Sequence, residues 1–126
     1  PEAEEIVNFK ILTEDDVNRA GKFIIDEVGC KSVVIKGGHL TGEAKDYLFL
    51  NDGTKKVWTS ERFKTNHTHG TGCTFSAVIT AELAKGKSIV EAVDIGKKFI
   101  TAAIKNTPGI GHGNGPVNHI VFKGDL

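Results

Sequence analysis

Three observations predict an α/β fold. Apolar residues recur at helical spacing in three stretches, about 14–28, 71–85 and 89–106. A short β-branched run, Ser32–Lys36 (SVVIK), lies between the first two. Two more apolar runs, 46–50 (DYLFL) and 56–59 (KVWT), flank a tight-turn signal at Asn51-Asp52-Gly53. Helices with one apolar stripe must cover a sheet, so the expectation is a small mixed sheet flanked by helices.

Each element has its own signal. Glu2, Glu4 and Glu5 read as a solvated acidic helix start. Thr13-x-x-Asp16 is a capping box with Thr13 as the cap. Val17, Ala20, Ile24 and Val28 then form the buried stripe, and Gly29 is the stop. SVVIK reads as a buried strand of the kind found in parallel sheets, ended by Gly37-Gly38. The helix from Thr71 to Lys85 presents Phe75, Val78, Ile79 and Leu83, and Gly86 closes it. Ser88-x-x-Glu91 caps the last helix, whose stripe is Ile89, Ala92, Val93, Phe99, Ile100, Ala103 and Ile104 until Pro108 stops it. The stretch GIGHGNGPVNH is too glycine-rich and irregular for a strand. No internal repeat or low-complexity segment interrupts the 126 residues, a length suited to one domain.

Composition excludes several classes. Lys+Arg and Asp+Glu both number 16, so nothing marks a nucleic-acid or anionic-membrane surface. No apolar run approaches the roughly 20 residues of a membrane span, and a signal peptide is not expected. Cys30 and Cys73 are far apart and outside any C-x-x-C pair, which favours a reduced, cytoplasmic setting over a disulfide framework. The chain holds no methionine and opens on Pro1, as a piece of a longer polypeptide would.

The chemistry concentrates in TNHTHGTGCTF, residues 65–75. Gly70-Thr71-Gly72-Cys73 falls at a helix start, where backbone amides lack internal partners and the dipole is positive. Glycines let the backbone approach a ligand closely, so the site suits a phosphate or a developing oxyanion. Cys73 sits in the first turn, where that field favours a thiolate. A thiolate there can take a hydroxyl proton while the amides hold the transferring group. The competing reading is a helix start whose glycines serve the turn and whose cysteine is buried. His67, His69 and Cys73 form H-x-H-x3-C, a zinc pattern short of a fourth ligand unless His112 or His119 supplies it. The plainer reading is histidines that order the loop. Lys36, at a strand's carboxyl end, is placed to reach a phosphate or simply solvated. Cys30 reads as a small buried residue.

Three segments in this order carry a resemblance: KGGH at 36–39, THGTGCTFSAVITAELAKG at 68–86 and GHGNGPVNH at 111–119. Together they resemble the C-terminal half of hydroxymethylpyrimidine/phosphomethylpyrimidine kinase, a thiamine-biosynthesis family of the ribokinase-like superfamily. The likeness runs from residue 1 to about 119, and PEAEEI resembles the stretch after the family's Thr-Pro-Asn. Most ribokinase-like sugar kinases carry an aspartate where this chain has Cys73, which makes the central motif specific.

The resemblance implies the C-terminal portion of a three-layer α/β/α fold. Residues 1–126 would be the nucleotide- and anion-hole-bearing part of one kinase domain whose N-terminal half is absent here. It implies two successive ATP-dependent transfers, to hydroxymethylpyrimidine and then to its monophosphate, by an intact protein that is a cytoplasmic homodimer. The chain alone would be inactive. By the same resemblance Cys73 matches the catalytic base facing the substrate hydroxyl. Gly70, Thr71 and Gly72 match the anion hole, and Lys36 the lysine on the ATP phosphates. Glu2 matches a glutamate linked to Mg²⁺, and Lys97 is a further nucleotide contact. Some pyridoxal kinases share Gly-Thr-Gly-Cys, so pyridoxal is the alternative substrate. A non-catalytic ligand-binding module is the alternative class.

Overall fold

The structure is a computed structural model that describes residues 1–37, 44–60, 68–110 and 112–120. The chain forms two compact units, Pro1–Arg62 and Phe63–Leu126.

The first unit holds α1 (Glu2–Val7), α2 (Glu14–Asp26), β1 (Ser32–Lys36), β2 (Ala44–Leu50) and β3 (Lys55–Ser60). The Thr13 capping box is present in full. The Thr13 hydroxyl accepts from the Asp16 amide, and the Asp16 carboxylate accepts from the Thr13 amide. Helix α2 ends at Asp26, so Val28 lies beyond the last turn and is exposed, contrary to the stripe the sequence suggests. Gly29 follows with φ +81°. Helix α1 is acidic as expected, but Glu4 is not simply solvated: its carboxylate accepts from the Ile11 amide (2.8 Å) and from Lys10 (3.3 Å).

The three strands are ordered β1-β2-β3, and both pairings are antiparallel. The sheet is therefore antiparallel rather than mixed, and SVVIK has no parallel partner among the described residues. Only seven residues, 37–43, separate β1 from β2, too few for the crossover that a parallel neighbour requires. The register sets Ile35 against Tyr47 and Lys36 against Asp46. The β2–β3 turn is the hairpin the sequence announces. Gly53 takes φ +85°, the Leu50 amide donates to the Thr54 carbonyl, and Asp52 Oδ1 accepts from the Thr54 amide.

Helix α2 covers this sheet. Val17, Ala20 and Ile24 join Val7, Ile35 and Tyr47 in one buried cluster. Burying a side chain such as Ile24 stabilises by roughly 1.5–3 kcal/mol. Gly21 lets the helix close onto the sheet, because a Cβ there would run into the Phe49 ring.

The second unit holds α3 (Thr71–Ala84) and α4 (Ile89–Lys105), which pack along each other as an αα-hairpin. A Schellman arrangement closes α3: the Gly86 amide donates to the Leu83 carbonyl and the Lys87 amide to the Glu82 carbonyl. The Ser88–Glu91 capping box opens α4. Gly96 faces Phe75 so closely that an added Cβ would lie 2.9 Å from its ring. One expected core position is corrected. Leu83 is 42% exposed, whereas Glu82 is 1% exposed. The buried face of α3 runs from Phe75 through Val78 and Ile79 to Glu82, a seven-residue repeat, so position 82 points inward although its side chain is charged. Its Oε1 accepts from Lys85 Nζ at 2.7 Å.

Candidate active site at the start of α3

Helix α3 begins differently from α2 and α4. Its N-cap is Gly70, in the left-handed region at φ +84°, and no side chain caps it. A residue with a Cβ would be strained there. The Thr71 amide and hydroxyl both donate to the Thr68 carbonyl, at 3.2 and 2.6 Å. The Thr74 amide donates to the Gly70 carbonyl, the first intrahelical bond. Between them, the amides of Gly72 and Cys73 have no acceptor among the described residues. Both residues are exposed, and Cys73 is a free thiol. Two open amides at the positive end of a 14-residue helix make a binding place for an anion. The buried-cysteine reading fails on exposure.

The glycine-rich stretch after α4 returns to this turn. His69 and Pro116 form an isolated parallel bridge, in which the His69 amide donates to the Gly115 carbonyl and the Val117 amide to the His69 carbonyl. Val117 is buried. The Asn118 amide donates to the Ala103 carbonyl and its side chain to the Asn106 carbonyl, which fixes the segment to the end of α4. His119 Nε2 lies 2.9 Å from the Thr74 hydroxyl.

The sequence-derived candidates separate between the units. Gly70, Thr71, Gly72 and Cys73 share the first turn of α3, and Lys97 lies half-buried in α4 of the same unit. Lys36 and Glu2 belong to the first unit, both exposed. Lys36 ends β1, where the next residue is tightly set. The Gly37 amide donates to the buried Asp46 carboxylate at 3.2 Å, and a Cβ on Gly37 would collide with the Lys45 carbonyl. Cys30 is half-buried against the first unit's core, as expected. His67, together with Gly38, His39 and Gly111 of the quoted segments, lies outside the described residues. Among the described residues, no three His, Cys, Asp or Glu side chains gather as a metal site would require. No helix among them is long and apolar enough to cross a membrane. The Thr74–His119 contact, 45 positions apart, carries no sequence signal; only the shared glycine-rich setting pointed near it.

Comparison with known proteins bears on this turn. The profile of the family described as phosphomethylpyrimidine kinase matches residues 1–118, which include the whole of α3 and its opening loop. The chain belongs to that family. A Staphylococcus aureus hydroxymethylpyrimidine/phosphomethylpyrimidine kinase is 58% identical over 124 residues, covering 97% of this chain and 45% of the relative. The chain thus spans about half the length of the curated relatives it matches. Among solved structures, an ADP complex of Bacillus subtilis pyridoxal kinase is 42% identical with a TM-score of 0.85, covering 95% of this chain and 47% of that one. The Staphylococcus aureus pyridoxal kinase in complex with AMP-PCP and pyridoxal is 36% identical with a TM-score of 0.88, covering 97% and 46%. These neighbours establish the α/β kinase fold of the family member described here.

Proposed function

We propose that this chain is the nucleotide- and anion-hole-bearing part of a single kinase domain. The intact protein transfers phosphoryl groups from ATP to hydroxymethylpyrimidine and then to its monophosphate. The observation that carries this reading is the start of α3: two amides without acceptors among the described residues, beside an exposed thiol, on a helix whose N-cap makes no side-chain hydrogen bond. A side-chain cap would fill the place an incoming anion needs.

The chain's residues then have distinct tasks. The Gly72 and Cys73 amides, with Thr71, hold the transferring phosphoryl group and offset the charge that builds on its oxygens. Cys73 Sγ, as thiolate, accepts the proton of the substrate hydroxyl while that oxygen bonds to the γ-phosphorus and the bond to the ADP oxygen breaks. Lys36 and Lys97 neutralise nucleotide phosphates. Mg²⁺ commonly keeps its waters and takes one or two carboxylates plus substrate phosphates. Glu2 would offer such a carboxylate, and the ion would offset charge on the phosphates. We expect the intact protein to be a homodimer.

Pyridoxal is the second reading, because the two solved neighbours above are pyridoxal kinases. The more similar relative, at 58% identity, is named for the pyrimidines, which favours them. ADP release by the intact protein, with hydroxymethylpyrimidine, its monophosphate and pyridoxal offered separately, decides between them. Turnover of both pyrimidines with little on pyridoxal is expected. Preference for pyridoxal would reassign the substrate, and no turnover on any would favour a binding module.

A further inference from the structure

Helices α2 and α4 hold their first turns with capping boxes, whereas α3 leaves its first turn open. Something else must fix the direction of the Gly72 and Cys73 amides. Within the chain's local sequence, Thr71 bonds the Thr68 carbonyl, Thr74 the Gly70 carbonyl and Ser76 Oγ the Gly72 carbonyl; the described long-range hydrogen bonds to this turn and its opening loop come from the segment after α4. That segment is anchored at one end by Asn118 on the carbonyls of Ala103 and Asn106, and it straps His69 through Gly115 and Val117. Its last hold is His119 Nε2 on the hydroxyl of Thr74, the residue that follows Cys73. Thr74 is buried, at 9% exposure, so its hydroxyl needs a partner inside the protein.

We propose that His119 is a positioning residue for the reaction proposed above. It acts through Thr74 to hold the first turn of α3, and with it the thiol and the open amides, in one orientation. The inference rests on that reading for its effect on turnover, but the clamp itself is independent of it. A threonine hydroxyl both donates and accepts, so the contact forms with either imidazole tautomer. His119 meets this turn at Thr74, so the imidazole need not touch substrate.

The test combines two readouts. Amide hydrogen exchange across 71–77 is measured on the 126-residue chain, and kcat and KM on the intact protein, for His119→Ala, His119→Gln, Thr74→Val and the double variant His119→Ala/Thr74→Val. Positioning errors propagate strongly into phosphoryl transfer. We therefore expect His119→Ala to lower kcat by about tenfold with little change in KM for ATP, and exchange of the hydrogen-bonded amides of Thr71 and Thr74 to speed up by a similar factor. His119→Gln, which presents a nitrogen at a similar reach, should restore both. Thr74→Val should reproduce His119→Ala, and the double variant should be no worse than either single one. If His119→Ala leaves the exchange of 71–77 unchanged, the clamp is wrong. If His119→Ala slows turnover but Thr74→Val does not, the action through Thr74 is wrong. Should the wild-type protein prove inactive on every substrate, the proposed function fails and exchange alone still decides the clamp. Misfolding of the alanine variant leaves His119→Gln and Thr74→Val to decide it by the same exchange measurement.

Discussion

At the scale of single residues, the proposed chemistry depends on a thiol that stands in solvent beside amides it does not occupy. Cys73 is exposed and unpaired, while Cys30 is half-buried against a core. Position, not residue type, separates them. Replacing Cys73 by Ala in the intact protein removes the proposed proton acceptor but leaves both amides. A general base is worth roughly 10²–10⁴ in rate. The expected outcome is a fall in kcat of at least about 10², with ATP affinity retained in a direct nucleotide titration. Unchanged kcat would remove Cys73 from the base role. Lys36 tests the other unit. It ends β1 next to Gly37, a position where a residue with a Cβ would collide with the Lys45 carbonyl. Lys36→Ala should raise KM for ATP roughly tenfold, the loss expected of one charge-assisted hydrogen bond. A variant with unaltered KM and kcat would remove Lys36 from the nucleotide contacts.

At the scale of elements, caps and glycines decide stability. Gly96 of α4 lies against Phe75 and Ile79 of α3. An alanine there gains about 1 kcal/mol of helix propensity but places its methyl 2.9 Å from the Phe75 ring and 3.2 Å from Ile79 Cγ1. Phe75 is buried and cannot swing away. Overpacking costs about 1–3 kcal/mol, so Gly96→Ala should destabilise by about 1 kcal/mol net. Denaturant melts read this directly, and a stabilised variant would show that the helices can part. The capping box of α2 gives a pH prediction. The Thr13 hydroxyl, first, and the amides of Leu12 and Thr13 hold the Asp16 carboxyl below its usual value of 3.8. A depressed folded pKa means stability that is present above the unfolded value and lost as pH falls through the folded one. Asp16→Asn should therefore be less stable than wild type near neutral pH, with the gap closing below about pH 4. A gap constant down to pH 2 would deny the carboxylate its role.

These same elements show what the sequence could reveal. Thr13, Ser88 and Asn51-Asp52-Gly53 act within a few residues, so their signals were readable and the elements form where they indicate. The face of α3 was misread at one place because hydrophobicity marked Leu83 while geometry turns Glu82 inward. The strand direction of β1 was missed because SVVIK looks the same in either pairing; the short link to β2 is what decides it. Of the candidate site, Gly70 to Cys73 were legible from glycine and helix-start chemistry. The Thr74–His119 contact was not, because no local pattern joins residues 45 apart.

At the scale of the molecule, the charge balance constrains how an anion is bound. With 16 basic and 16 acidic residues, no general field draws a nucleotide in. Recognition must be local, through a helix start and a few lysines. The chain also spans 45% of the length of the relative at 58% identity, so it lacks the surfaces that the other half supplies. Two consequences follow for residues 1–126 on their own. Substrate turnover should be undetectable with either pyrimidine, because in the proposed function these residues would provide only the anion's side of the reaction. ADP should still bind, weakly, and shift the backbone amide resonances of Gly72 and Cys73 more than those of β3, which carries none of the candidate residues. Raising salt from 50 to 200 mM should weaken that binding by about tenfold or less, far below the fall seen where six or more phosphates are neutralised. If ADP moves neither amide at saturating concentration, the anion hole is misplaced, and the exposed thiol of Cys73 loses the partner that gives it a chemical task.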